Sequence, residues 1–119
     1  MTSINNLVGL DQKLFMGLNS LQELYLNSSQ SVSLGNEPFR DITNLKSLHL
    51  YNNQLNHLDN CSFAGLSSLK ELDLDKNKLI RLENKPLDCL SSLASLNLRE
   101  NELGGLSDNP FRDSLALNL

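Results

Sequence analysis

The chain has 119 residues with 10 Lys and Arg against 14 Asp and Glu, a net charge of −4, and this length fits one domain. With 39% hydrophobic and 20% charged residues it can bury a core and carries too little net charge to stay unfolded. An acidic pI of about 5.0 without a Lys/Arg cluster lacks the electrostatic footprint of a nucleic-acid binder or a polybasic membrane anchor.

No stretch approaches the ~20 apolar residues that a membrane span needs. Met1 leads into Thr2, Ser3, Ile4, Asn5 and Asn6, which form neither the basic nor the apolar region of a signal peptide. Leu, Asn and Ser supply 60 of the 119 residues and Trp is absent, a skew that points to internal repetition. Leu21, Leu45, Leu69 and Leu93 stand 24 residues apart and set the period.

In chain order, the N-terminal segment starts inside a repeat, with Thr2 in the column of Leu26. Asn5, Leu7 and Leu10 follow, then Phe15 and Leu18. Leu21, Leu24 and Leu26 make an L-x-x-L-x-L core with a strand expected over Leu24 to Leu26. The run from Asn27 to Ser33 departs from the pattern: Ser29 stands where Asn is expected and Ser31 where Leu is expected. A looser turn and the softest interior repeat are predicted there, a place where irregularity can also mark a functional bulge. Phe39, Ile42, Leu45, Leu48 and Leu50 lead to Asn53, Leu55 and Leu58, and Phe63, Leu66, Leu69, Leu72 and Leu74 to Asn77, Leu79 and Leu82. The following unit replaces Phe by Leu87 and runs through Leu90, Leu93, Leu96, Leu98, Asn101, Leu103 and Leu106 before Phe111. In strict register Leu117 falls in the column of Leu93; a three-residue slip instead makes Leu117 and Leu119 the strand leucines. Residues 1–119 thus read as one repeat domain of about five 24-residue units, cut through a repeat at both ends and without the polar caps that solenoids need. The expectation is a piece of a longer receptor or secreted protein.

The pattern L-x-x-L-x-L-x-x-N-x-L covers nearly the whole chain and resembles the leucine-rich repeat family. The added F-x-x-L-x-x-L tail, with Phe15-Met16-Gly17-Leu18 and Phe63-Ala64-Gly65-Leu66, is similar to its typical 24-residue subclass. The resemblance implies an α/β fold, a curved leucine-rich repeat solenoid. A parallel sheet would line the concave face, with irregular or short helical return segments on the convex face.

Elementary physics gives the columns the same roles. Alternation in L-x-L puts both leucines on one face of a short strand and the residue between them on the other. Each repeat supplies one strand in the same direction, so the strands stack in parallel with the Phe column behind them. An Asn column pointing into an apolar solenoid must be satisfied by backbone groups, so Asn5, Asn53, Asn77 and Asn101 read as a structural ladder.

Alternation also assigns the concave surface to Glu23, Tyr25, Asn27, Ser47, His49, Tyr51, Glu71, Asp73, Asp75, Ser95, Asn97 and Arg99. It is polar and mixed, holds both tyrosines of the chain, and carries an acidic run with Lys76, Arg99 and Glu100 at its border. Tyrosine gives amphipathic contact area at modest entropic cost, which suits a protein-binding patch. A calcium site from Glu71, Asp73 and Asp75 is the sharper alternative, but alternating strand carboxylates diverge too little to wrap an ion. No metal or other cofactor is expected.

No paired carboxylates with a base, no Ser/His/Asp set and no phosphate loop stand in convincing context, so no catalytic residue is assigned. His49 should project from the sheet into solvent, and His57 belongs to a turn. Cys61 and Cys89 have no metal-binding spacing. One repeat on from Cys61 is Lys85, four residues short of Cys89; the gap is ~6 Å coiled and ~13 Å extended. Only a compact return segment meets the disulfide limit of ~4.4–6.8 Å, so paired and unpaired thiols both stay open. Asn27-Ser28-Ser29 and Asn60-Cys61-Ser62 fit the glycosylation motif.

The resemblance implies a non-enzymatic recognition module that binds a protein or microbial ligand on the concave sheet of an extracellular ectodomain. A Toll-like innate immune receptor is favoured, with glycan at Asn27 and Asn60 and room for receptor dimerisation in the full-length protein. Neither nucleic-acid binding nor membrane contact by this segment is expected. The alternatives are an intracellular, cytoplasmic scaffold with reduced cysteines and unused sequons, and a regulatory segment of a larger receptor kinase.

Overall fold

The computed structural model describes residues 2–3, 8–10, 15–26, 31–34, 37–56, 58, 62–80, 87, 89–103 and 116–118, and of 2–3, 8–10, 31–33 and 116–118 the backbone alone. Its strands are β1 (Thr2–Ser3), β2 (Val8–Leu10), β3 (Glu23–Tyr25), β4 (Ser31–Leu34), β5 (Ser47–His49), β6 (Glu71–Asp73), β7 (Ser95–Asn97) and β8 (Ala116–Asn118). A six-stranded parallel sheet runs β1-β3-β5-β6-β7-β8, and β2 pairs with β4 in a separate parallel ribbon. Its centre keeps the sequence period: Leu24, Leu48, Leu72 and Leu96 face one another in register across β3, β5, β6 and β7. These four leucines and Leu26, Leu50, Leu74 and Leu98 are buried, so each of these four L-x-L segments turns both leucines inward.

The return segments follow a period of three. In F-x-x-L-x-x-L the amide of Leu18 bonds to Phe15 O and that of Leu21 to Leu18 O, and the pattern recurs from Phe39, Phe63 and Leu87. Turns closed every three residues eclipse side chains at i and i+3, which puts Phe39, Ile42 and Leu45, and likewise Phe63, Leu66 and Leu69, on one inward face, whereas Leu18 of the first segment is 42% exposed. Phe15, Phe39 and Phe63 are fully buried and form a spine, with ring centroids 5.7 and 6.3 Å apart. Leu87, which replaces Phe, packs partly buried against the same core.

Gly65 shows why glycine sits in one of these turns. Its φ is +95°, and a Cβ there would lie 2.6 Å from Arg40 O and 2.7 Å from Arg40 Cα in the neighbouring return segment. Adjacent turns touch backbone to backbone at this point, a closeness that only glycine permits.

Asn53, Asn77 and Asn101 bond through their side-chain amides to backbone groups at the strand exits. Asn77 Nδ2 donates to Leu50 O at 2.9 Å and Leu74 O at 3.0 Å, while its Oδ1 accepts from the amides of Asn53 and Leu55 at 3.1 and 3.0 Å. Asn53 Nδ2 donates to Leu26 O and Leu50 O, and Asn101 Nδ2 to Leu74 O and Leu98 O. Each amide thus ties its own strand exit to the one before it. The residue preceding each rung adopts the left-handed region, with φ of 61° at Asn52, 57° at Lys76 and 55° at Glu100. Such a conformation costs an L-residue about 1–2 kcal/mol, and the ladder bonds offset it. Asn5 lies outside the described residues.

Two features differ from the expectation, and one of two open registers is decided. Thr2 pairs with Leu24, not in the column of Leu26, and Ser3 with Tyr25, a register of 22. Its physical reason is that no leucine at Thr2 or Ser3 fixes the strand by burial, so backbone pairing alone sets its place. At the other end Leu117 pairs with Leu96, not with the column of Leu93, so the three-residue slip is the one adopted. The strand is Ala116–Asn118, with Leu117 at its centre as Leu96 is at the centre of β7. Finally, Ser31–Leu34 is not a loose turn but pairs with Val8–Leu10, with an irregularity between Val8↔Ser31 and Leu10↔Leu34. The alternating Ser-Val-Ser-Leu, with its β-branched Val32, suits a strand, and main-chain groups without an Asn rung find partners in β2.

Candidate functional site

Strand register turns the concave residues into rows. Glu23, Ser47, Glu71 and Ser95 form one row, and Tyr25, His49, Asp73 and Asn97 the next. Tyr51, Asp75 and Arg99 continue past the strand ends, where Asn52 N bonds to Asp75 O and Lys76 N to Arg99 O. All of these are partly or fully exposed. The structure therefore brings together every predicted concave residue except Asn27, which lies outside the described residues, as do Asn60, Cys61 and His57. Cys89 is exposed.

The second row holds the strongest contacts. Tyr25 and His49 stack with ring centroids 4.2 Å apart and planes 3° from parallel. His49 Nδ1 lies 3.7 Å from Asp73 Oδ2, with both side chains largely covered. His49 is thus a packed member of the row, in place of the solvent-directed side chain that alternation alone suggests. Stacking on one side and a carboxylate on the other fix the ring between its neighbours on β3 and β6. Asp73 Oδ1 also accepts from the Asp75 amide at 3.0 Å, and Asn97 Oδ1 repeats this with the Arg99 amide.

The rows carry four acids, Glu23 on β3 with Glu71, Asp73 and Asp75 on or just past β6, against Arg99 at the β7 side, and the exposed Lys46 and Lys70 stand immediately before Ser47 and Glu71. Lys76, at the border, is engaged by Glu100 at 3.8 Å. Asp75 Oδ1 is buried with no hydrogen-bond partner among the described residues, so its acceptor capacity is unused. The Tyr25 hydroxyl donates to Glu23 Oε2 at 3.3 Å. Its pKa is raised above the ordinary tyrosine value, by partial burial first, then by the charge of Glu23 and that hydrogen bond, then by Glu71 and Tyr51. Among the described residues no group of three His, Cys, Asp or Glu side chains converges on a point where a metal ion could sit, and no helix is long and apolar enough to cross a membrane.

Two arrangements escaped the sequence reading. The Tyr25–His49–Asp73 row was legible, since those residues stand 24 apart, but alternation names a face without saying which neighbours touch. A second polar seam on the return side joins Asn44 Nδ2 to Asn19 O at 2.6 Å and Ser92 Oγ to Ser67 O at 2.7 Å. Its signal was the column Ser20, Asn44, Ser68 and Ser92, small polar residues at the same period.

A one-strand-per-repeat parallel sheet, an Asn ladder at the strand exits and a buried Phe spine together define a leucine-rich solenoid. The chain belongs to the leucine-rich repeat family: the family profile described as Leucine rich repeat matches residues 20–79 and again 43–103. Domains of this family typically serve protein recognition and not catalysis. Comparison with curated proteins gives no match.

Proposed function

We propose that residues 1–119 form a single repeat domain of the typical 24-residue subclass that recognises a protein or microbial ligand on its concave face. The reading extends to an extracellular, single-pass or secreted protein, with the ectodomain of a Toll-like innate immune receptor as the favoured context. The observation that carries it is the row Tyr25, His49, Asp73 and Asn97, set side by side by strand register with aromatic and charged atoms partly exposed. A preformed row of this kind presents contact groups without an ordering cost at binding. The remaining concave residues, from Glu23 to Arg99, would complete the contact surface, and glycans at Asn27 and Asn60 belong to the same reading.

The test is intact mass, with and without glycosidase, on the chain expressed through a secretory pathway. Glycan on Asn27 or Asn60 in folded, secreted protein is expected. Bare asparagines in well-folded material would overturn the extracellular assignment in favour of an intracellular scaffold.

A further inference from the structure

The two ring nitrogens of His49 meet different surroundings. Tyr25 stacks on the ring, with centroids 4.2 Å apart, and Nδ1 stands 3.7 Å from Asp73 Oδ2. A ring nitrogen that faces a carboxylate turns its proton there, because its lone pair would meet the negative oxygen. Asp73 is itself fixed, since its Oδ1 accepts from the Asp75 amide at 3.0 Å, which leaves Oδ2 for the imidazole. Nε2 has no such partner. Among the described residues it makes no hydrogen bond, and the one buried side-chain nitrogen or oxygen left unpaired there is Asp75 Oδ1, so Nε2 is open to solvent.

From this geometry we infer that Asp73 holds the neutral form of His49 as the Nδ1–H tautomer, so that the row offers a ligand the lone pair of Nε2 and selects a hydrogen-bond donor at that point. The inference rests on reading the concave face as the recognition surface. His49 is the residue that touches the ligand, and Asp73 is a positioning residue behind it. An unconstrained imidazole favours the proton on Nε2 and would present a donor instead, so the carboxylate decides the polarity of the contact. The two tautomers refuse opposite partners, because an acceptor brought against the lone pair, or a donor against Nε2–H, loses its water and gains no bond. A hydroxyl or amide N–H of a protein ligand fits the lone pair.

The next repeat supplies a conservative variant. Asn97 follows Asp73 in the row, and its Oδ1 accepts from the Arg99 amide at 3.0 Å as Asp73 Oδ1 does from that of Asp75. Asparagine therefore suits this turn. In Asp73→Asn the Oδ1 keeps that bond while an amide Nδ2 takes the place of Oδ2 and turns a donor towards Nδ1. The imidazole should then carry its proton on Nε2.

The experiment uses the full chain labelled with nitrogen-15, with His57→Gln to tell the signals of the two histidines apart. Long-range proton–nitrogen correlation spectra, recorded on the alkaline plateau of the His49 titration, read each ring nitrogen directly. A protonated-type Nδ1 and an unprotonated-type Nε2 are expected in the parent chain, with the two exchanged in Asp73→Asn. Diethyl pyrocarbonate, which acylates an unprotonated imidazole nitrogen, should modify His49 at Nε2, and Asp73→Asn should lose most of that reactivity. Nε2–H or averaged tautomers in the parent chain, unchanged Nδ1–H in folded Asp73→Asn, or an Nε2 that resists acylation would each overturn the inference. The parent spectrum decides the tautomer even where a variant does not fold. None of these outcomes bears on glycan occupancy, so the extracellular reading stands or falls separately.

Discussion

Replacing Asn77 by alanine is the sharpest test of what holds the repeats in line. Five hydrogen bonds disappear, but their loss is unequal; Asp75 O keeps the Asn52 amide as a donor. Leu50 O and Leu74 O each keep a second amide donor, from Asn53 and Asn101 respectively. The burden falls on the amides of Asn53 and Leu55, which lose the Asn77 Oδ1 that accepts from both in the buried interior. A buried donor deprived of its acceptor costs about 1–3 kcal/mol, so Asn77→Ala should cost about 2–6 kcal/mol. That is a large share of the 5–15 kcal/mol typical of a domain. Asn101 provides the internal comparison, because it is only partly buried and its Oδ1 accepts from the Leu79 amide at 3.1 Å. Water can replace much of what it supplies, and Asn101→Ala should cost about 1 kcal/mol. Urea unfolding followed by far-ultraviolet circular dichroism, with slopes compared across variants, measures both. Equal losses for the two variants, or a loss below about 1 kcal/mol for Asn77→Ala, would refute the ladder as the interior tie.

Two further outcomes are expected. Gly65→Ala should destabilise more than Gly17→Ala in the same urea assay, because both have positive φ but only Gly65 meets neighbouring backbone within 3 Å, while the space beside Gly17 is open; equal effects would mean that close approach of the return segments is unimportant. Tyr25 should ionise above the ordinary tyrosine value of 10.0, because partial burial and then Glu23 favour the neutral phenol. A raised folded-state pKa contributes stability fully present below the unfolded value and lost as pH rises through the folded one, so the loss falls on the alkaline side of about pH 10. Ultraviolet titration of the chain and of Glu23→Gln checks this: the variant should bring the midpoint down, and an unmoved midpoint would contradict the assigned cause.

How much of this was written in the chain depends on the chemistry of each column. Leu24, Leu48, Leu72 and Leu96 each bury their side chains, and burial on one face forbids a register slip, so the central sheet could be placed from the sequence. The three-residue spacing of Phe39, Ile42 and Leu45 matches turns that close every three residues, which the expectation of irregular or short helical return segments left unspecified. Register failed at Thr2 because a polar strand position has no burial to specify it. At Leu117 two alternatives stood open, since three alternating leucines fit the column in more than one way. The β2–β4 ribbon was missed because Ser31 and Ser33 interrupt the apolar pattern, and backbone pairing leaves no mark on side-chain spacing. On the concave face, alternation identified the surface but not the contacts within it. That His49 is held between Tyr25 and Asp73 follows from ring geometry and local charge, neither of which a period expresses.

The offsets between paired strands, 22 from β1 to β3, 24 through the centre and 21 from β7 to β8, show that the sheet keeps step by strand and not by residue number. Each strand aligns to its neighbour through its own hydrogen bonds, and any surplus or deficit of chain is taken up on the way back. Length is therefore a free variable on one side of the molecule and fixed on the other. A lineage can lengthen or shorten its return segments, acquiring new loops there, while the rows of the sheet stay in alignment.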